Sequence, residues 1–151
     1  MAQRDCTEDA EQLFRRFAEK NDLTFEVDSG QPMEVCWNFP LQKKLHLPVT
    51  LGLQNSDELN FGVSDFWSYF FPFDQVAGKF SAAIDAWVTG EARIAITGFR
   101  SRLLQVRKDE EWQTIYGANG CLFPFRFTPF RYVYNDEKSA EREAVRNGRQ
   151  T

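Results

Sequence analysis

The stretch that decides the fold runs from Met33 to Val63 and reads MEVCWNFPLQKKLHLPVTLGLQNSDELNFGV. Apolar residues fill every second position in three successive runs, the period that places side chains on one face of a β-strand. The runs are Met33, Val35, Trp37, Phe39; then Leu45, Leu47, Val49, Leu51, Leu53; then Leu59, Phe61, Val63. Pro48 donates no ladder hydrogen bond, so the middle strand is expected to lie at an edge or to bulge there. The sequence therefore predicts an antiparallel meander.

The flanking segments complete an α+β pattern. Residues 23–27 alternate as a further strand, and residues 7–20 predict a helix because apolar side chains recur at three- and four-residue spacing. Behind Asp74, the same spacing from Val76 to Val88 predicts a second helix. Three more strands are predicted at 92–97, 103–107 and 112–116. The expected order is α-ββββ-α-βββ, an antiparallel meander of about seven strands with both helices packed on one face, followed by an aromatic C-terminal arm.

Length and composition favour one domain over residues 1–136, with a charged tail at 137–151 that is frayed or disordered. With 42% apolar residues, 26% charged residues and a net charge of −4, the chain has an ordinary globular composition. No run approaches the roughly 18 apolar residues that cross a bilayer, and no signal peptide is evident. We therefore expect a cytoplasmic protein without a membrane partner. Three cysteines at unrelated spacings and one histidine predict no disulfide framework, metal site or cofactor.

The predicted order of elements resembles that of small acidic chaperones of bacterial secretion effectors. The resemblance is one of architecture, and no motif carries it.

Charge is uneven along the chain. Residues 1–90 contain 14 acidic and 7 basic side chains, whereas residues 91–151 contain 8 and 11. The basic half suggests an anion-binding cluster of Arg93, Arg100 and Arg102, gathered by a bulge at Gly98. The alternative is that these arginines solvate a hairpin and pair with neighbouring acids. Nucleic acid is not favoured as a partner, because the density of basic residues is low and only Phe99 interleaves with them.

The aromatic stretch from Phe66 to Phe73 is the most unusual segment. The functional interpretation is a surface that docks a protein partner, with Phe66, Trp67, Tyr69, Phe70 and Phe71 as anchors. The alternative is that these rings plug the end of the sheet, with Phe73 stapling the second helix. The arm from Leu122 to Tyr134 adds six aromatic residues, and its alternation suits strand addition to a partner or exchange between two copies.

No catalytic residue is predicted. A Cys36–His46 dyad is one hypothesis, which requires the two residues to face each other across strands joined at 40–42. Asp65, Asp74 and Asp85 form a second candidate set, as paired acids. We expect a non-catalytic protein-binding, adaptor or chaperone-like module that pairs with another protein or with itself. The alternative is a small-ligand binder or enzyme with a pocket between the sheet and the second helix. Its predicted lining is Trp37, Phe61, Trp67, Phe80 and Trp87.

Overall fold

The structure is a computed structural model that describes residues 4–97, 101–118, 131–136 and 145. Within these residues the chain forms, in order, α1 (Thr7–Asn21), β1 (Glu26–Val27), β2 (Val35–Phe39), β3 (Val49–Gln54), β4 (Glu58–Val63), β5 (Phe66–Trp67), α2 (Phe73–Thr89), β6 (Ala92–Ile96), β7 (Arg102–Lys108), β8 (Glu111–Ala118) and β9 (Arg131–Val133). The predicted α+β class is confirmed. All strand pairs are antiparallel.

The strands form two sheets, where the sequence predicts about seven strands in one meander. Sheet 1 has the order β1-β2-β3-β4-β5, and sheet 2 has the order β8-β7-β6-β9. The chain divides into two compact units, Met1–Asp85 and Ala86–Thr151. A single domain over residues 1–136 stays a prediction, and the predicted tail lies outside the described residues apart from Val145.

Unit 1 is built by packing α1 on the inner face of sheet 1. The predicted helical stripe is confirmed, because its apolar residues are buried together with Asn21: Ala10, Leu13, Phe14, Phe17 and Ala18. The Phe14 ring meets Trp37 edge-on at 5.8 Å between centroids, and Phe17 meets Phe39 at 5.3 Å. The period-two alternation of sheet 1 therefore serves to bury one face of the sheet under a helix.

Strand boundaries in unit 1 are shorter than the alternation predicts. The first strand consists of Glu26 and Val27 alone, and the third strand begins at Val49. Residues 40–48 form a loop, although Leu45 within it is completely buried. The Leu45 side chain fills part of the core although its backbone belongs to a loop. The sequence pattern cannot distinguish such a position from a position in a strand.

Unit 2 contains sheet 2, whose inner face buries Ala92, Ile94, Ile96 and Leu104 at no more than 2% exposure. Its strands β6, β7 and β8 lie within two residues of their predicted positions. In the predicted arm, Arg131–Val133 pairs with β6 and forms the edge of sheet 2. The part of the arm from Leu122 to Phe130 lies outside the described residues.

Candidate functional site

The aromatic stretch continues sheet 1 as a strand and divides its side chains by parity. The register pairs Gly62 with Trp67, and the isolated bridge between Leu59 and Phe70 keeps the same register. Even-numbered residues face the core: Phe66, Ser68 and Phe70 are 2%, 0% and 4% exposed. Odd-numbered residues face outward: Trp67 is half-buried, and Tyr69 and Phe71 are 45% and 60% exposed. We call the outward set of Trp67, Tyr69 and Phe71 the aromatic ridge.

The inward residues anchor the backbone of the ridge. Phe70 and Leu59 exchange two backbone hydrogen bonds of 2.8 Å, and the Ser68 N–H donates to the Phe61 carbonyl oxygen at 3.1 Å. The Ser68 hydroxyl also accepts from the Phe61 N–H at 2.9 Å. The Phe70 ring contacts the Phe80 ring of α2 at 5.5 Å between centroids. Hydrogen bonds to β4 therefore fix the backbone conformation of the segment that carries the ridge.

Gly62 determines how Trp67 lies on the outer face. A Cβ atom at Gly62 would come within 2.5 Å of Trp67 Cε3 and 2.7 Å of Cζ3. These distances are shorter than van der Waals contact, so the six-membered ring of Trp67 occupies the space that only glycine leaves open. This close approach holds Trp67 down against the sheet at one end of the ridge.

A row of residues crosses the outer face of sheet 1 and ends at the ridge. The register places Glu26, Asn38, Thr50, Gly62 and Trp67 side by side, one from each strand. The Thr50 hydroxyl and Asn38 Oδ1 are hydrogen-bonded at 2.8 Å. Two adjoining depressions of about 480 and 440 Å³ lie along this row and share Pro48 and Thr50. Their charged lining residues, Glu26 and Asp65, are both acidic.

These two acids do not form a glycosidase pair. Glu26 belongs to the first strand of the sheet, and Asp65 precedes the fifth. Four strand spacings separate the two edges by about 19 Å, whereas glycosidases hold their carboxyl groups about 5 to 9.5 Å apart.

The predicted docking residues therefore have two roles. Phe66 and Phe70 belong to the core, as does Phe73 at 7% exposure, which matches the alternative that these rings close the sheet. Tyr69 and Phe71 lie at the surface, as docking requires. The register with β4 separates the two groups. The sequence does not, because both the odd and the even positions from Phe66 to Phe71 carry aromatic residues.

The Cys36–His46 dyad is wrong, because Cys36 pairs with Gly52 in the register of β2 and β3. A loop at 40–48 replaces the predicted turn at 40–42, so His46 lies in this loop and is not part of the β2–β3 ladder. Cys36 is only 5% exposed, and desolvation, together with the nearby charge of Asp28, raises the pKa of its thiol. The thiolate that nucleophilic catalysis needs is therefore disfavoured.

Two acids of the predicted set, Asp74 and Asp85, are engaged in structural contacts. Asp74 accepts a 2.6 Å hydrogen bond from Arg4, which also pairs with Asp9. Asp85 accepts 2.9 Å hydrogen bonds from Lys20 and from Asn21. In the described ranges, no three His, Cys, Asp or Glu side chains cluster as a metal site would require. Neither of the described helices is long and apolar enough to span a membrane.

The residues predicted to line a pocket under α2 are densely packed. Trp37, Phe61 and Phe80 are at most 3% exposed, so all three side chains belong to the packed core. Phe80 contacts Phe14 as well as Phe70. Trp87 is completely buried, and Trp67 lies on the outer face of sheet 1.

Arg93 is clamped between aromatic rings on sheet 2. Its guanidinium carbon lies 4.1 Å from the Trp112 ring centroid and 3.8 Å from that of Tyr132. Nε donates to Gln105 Oε1 at 2.8 Å, and Nη1 donates to the Tyr134 hydroxyl at 3.2 Å. Arg93 is only 8% exposed, and no acidic side chain in the described part of the chain pairs with it.

The three arginines of the predicted anion cluster do not come together. Arg93 pairs with Gln105, whereas Arg102 pairs with Ile96. Positions 93 and 96 point to opposite faces of a strand, so the two side chains lie on opposite sides of sheet 2. Arg100 lies outside the described residues. The Arg93 clamp was not predicted, because Trp112 and Tyr132 join it only through strand pairing across long sequence separations.

Comparisons of the chain with protein-family models, with curated proteins and with solved structures found no match.

Proposed function

We propose that the protein is a non-catalytic protein-binding module that docks a partner on the aromatic ridge. The observation that carries the proposal is the division of the stretch 66–71: buried neighbours anchor the backbone while Tyr69 and Phe71 remain 45% and 60% exposed. Large aromatic side chains are the usual anchors of protein interfaces. Two of them at one sheet edge, beside the half-buried Trp67, make a surface suited to that use.

Pre-organisation supports the same function. Binding loses free energy when flexible side chains and loops must be ordered. The ridge sits on backbone that Leu59 and Ser68 already hold by hydrogen bonds, and aromatic side chains have few rotatable bonds. Little ordering is left for the moment of binding, so a modest contact area can give a useful affinity.

We place this module in the cytoplasm, as an adaptor or chaperone-like component. Cys6 and Cys36 are free thiols, both buried, which suits a reducing compartment. A partner with the opposite charge is favoured, because residues 1–85 contain 14 acidic and 7 basic side chains.

Native mass spectrometry of protein purified gently from its own cells tests the proposal. The ridge variant is Tyr69→Ala/Phe71→Ala, and the matched control is Val27→Ala, which removes an equally exposed apolar side chain at the other edge of sheet 1. We expect a complex for the wild type and the control, and a free chain for the ridge variant. Equal complexes for all three would refute docking on the ridge.

A small-ligand binder is the second candidate, favoured by the two depressions on the outer face of sheet 1. Its signature in the same spectra is a monomer that carries additional mass of a few hundred daltons. Thr50→Val, which removes the hydroxyl between the two depressions, would then release the ligand.

A further inference from the structure

We propose that the partner binds as a sixth strand of sheet 1, adding an extended segment rich in basic residues to the edge of β5 that faces away from β4. The inference rests on the proposed function and specifies its mode. β5 ends the order of sheet 1, and the ridge begins in β5 at Trp67 and continues along the chain to Phe71. A strand at a sheet edge presents its outer backbone groups as a template for another strand.

The backbone of the ridge has the polarity that strand addition needs. Ser68 and Phe70 make the hydrogen bonds to β4. Successive residues of a strand direct their N–H and C=O groups to opposite sides, so those of Trp67 and Tyr69 point away from β4. For Tyr69, no hydrogen-bond partner of either group is present in the described ranges. These groups, spaced about 7 Å apart, match the repeat of a pairing strand.

The charge at the two ends of this edge favours a basic partner over a second copy of the chain. Asp65 precedes the edge segment and Asp74 follows it, and both are exposed. Arg4 pairs with Asp74 and with Asp9 together, so those three side chains sum to −1. Antiparallel pairing of two copies about Tyr69 would bring Asp65 of each copy beside the Asp74 end of the other. Like charges would then face each other at both ends.

Contact area also argues against a homodimer through this edge alone. Aromatic side chains bury about 150 to 250 Å² each when fully enclosed, and the ridge residues already have part of their surface covered. The ridge therefore supplies well under the roughly 800 Å² per partner that a stable interface needs. A peptide strand gains its affinity from backbone hydrogen bonds in addition, which suits a short edge.

The test is amide hydrogen exchange of the full chain, with the capped peptide Lys-Val-Thr-Val-Thr-Val-Lys as probe. Two control peptides are used: one has glutamate at both ends, and the other is N-methylated at alternate residues so that it cannot pair as a strand. We expect the lysine peptide to slow exchange of the Trp67 and Tyr69 amides by about tenfold or more. The N-methylated peptide should have no effect, and the glutamate peptide should bind about threefold or more weakly.

Other outcomes overturn separate parts of the proposal. If the ridge side chains respond to the peptide while the Trp67 and Tyr69 amides exchange at the free rate, strand addition is wrong and docking on the ridge stands. If the glutamate peptide binds as well as the lysine peptide, the basic partner is wrong. If neither ridge side chains nor amides respond at millimolar peptide, the inference fails, and the spectra of the Tyr69→Ala/Phe71→Ala variant decide the proposed function independently.

Discussion

Replacing Arg93 by methionine tests how sheet 2 is held together. The substitution removes two stacked ring contacts, at 4.1 and 3.8 Å, and two hydrogen bonds from a charged donor. Desolvated cation–π contacts contribute about 2 kcal/mol each, and such hydrogen bonds about 1.5 kcal/mol each. Burial of an arginine that pairs with no carboxylate in the described ranges opposes them by several kcal/mol. We expect a net loss of about 2 to 3 kcal/mol for Arg93→Met.

The lysine variant separates geometry from charge. Arg93→Lys keeps the positive charge but cannot stack a planar group between Trp112 and Tyr132 while donating to two acceptors, so it should lose about as much stability as methionine does. Arg131→Met, an exposed arginine on the neighbouring strand, serves as control and should stay within about 0.5 kcal/mol of wild type.

Native-state hydrogen exchange of the β6 and β7 amides gives the free energy of opening for this sheet directly. Two results would refute the reasoning: an Arg93→Met protein within about 0.5 kcal/mol of wild type, or an Arg93→Lys protein as stable as the parent.

Three further predictions concern unit 1. Phe70→Ala should lower the free energy of unfolding by about 3 to 5 kcal/mol, whereas Tyr69→Ala next to it should change it by less than about 0.5 kcal/mol. Equal losses in urea titrations would contradict the assignment of Phe70 to the buried face and Tyr69 to the outer face. Burial raises the pKa of Cys36, so the free energy of unfolding should be constant with respect to this group below about pH 8.5 and should decline above that pH. Cys36→Ala should remove part of the decline in a pH series of urea titrations. Hydrogen bonds from the Thr7 hydroxyl and N–H lower the pKa of Asp5, so the ionised carboxylate stabilises the fold above about pH 4 and this contribution is lost as the pH falls through the lowered pKa. The free energy of unfolding of Asp5→Asn should therefore differ from that of wild type at pH 6 and match it near pH 2. A difference that stays constant with pH would be the contrary result.

The helix α1 and the buried face of sheet 1 could be predicted because periodicity reports which face of an element is covered. The Phe14 stripe and the alternation through Phe61 both lie where that pattern puts them. The N-terminal cap residue of α1 is Cys6, and the Asp5 side chain accepts a hydrogen bond from the Thr7 N–H. This contact reflects the capacity of Asp side chains to bond the backbone two residues on.

Register and sheet membership could not be predicted, because alternation specifies a face and leaves the pairing partner open. Leu45 is apolar and completely buried in a loop, so it imitates a strand position and shifts the expected partner of Cys36 from Gly52 to His46. The separation into two sheets depends on whether a strand before α2 pairs with a strand after it. Local sequence contains no information on that pairing.

Aromatic density alone locates the candidate site in the sequence, but it does not indicate that the segment is a strand. That information comes from the register with β4, because Tyr69 and Phe70 are both large aromatic residues and only their parity along the strand distinguishes them. The Arg93 clamp has no comparable signal, since Trp112 and Tyr132 reach it from strands far apart in the chain.

The most direct test of docking on the ridge is site-specific photo-crosslinking in the protein's own cells, with p-benzoylphenylalanine in place of Tyr69 and, as control, in place of Val27. Tyr69 is 45% exposed and Val27 64%, so chance encounters favour the control position. The account predicts one discrete adduct of higher mass from position 69 and none from position 27. No adduct from position 69, or equal adducts from both positions, would contradict it.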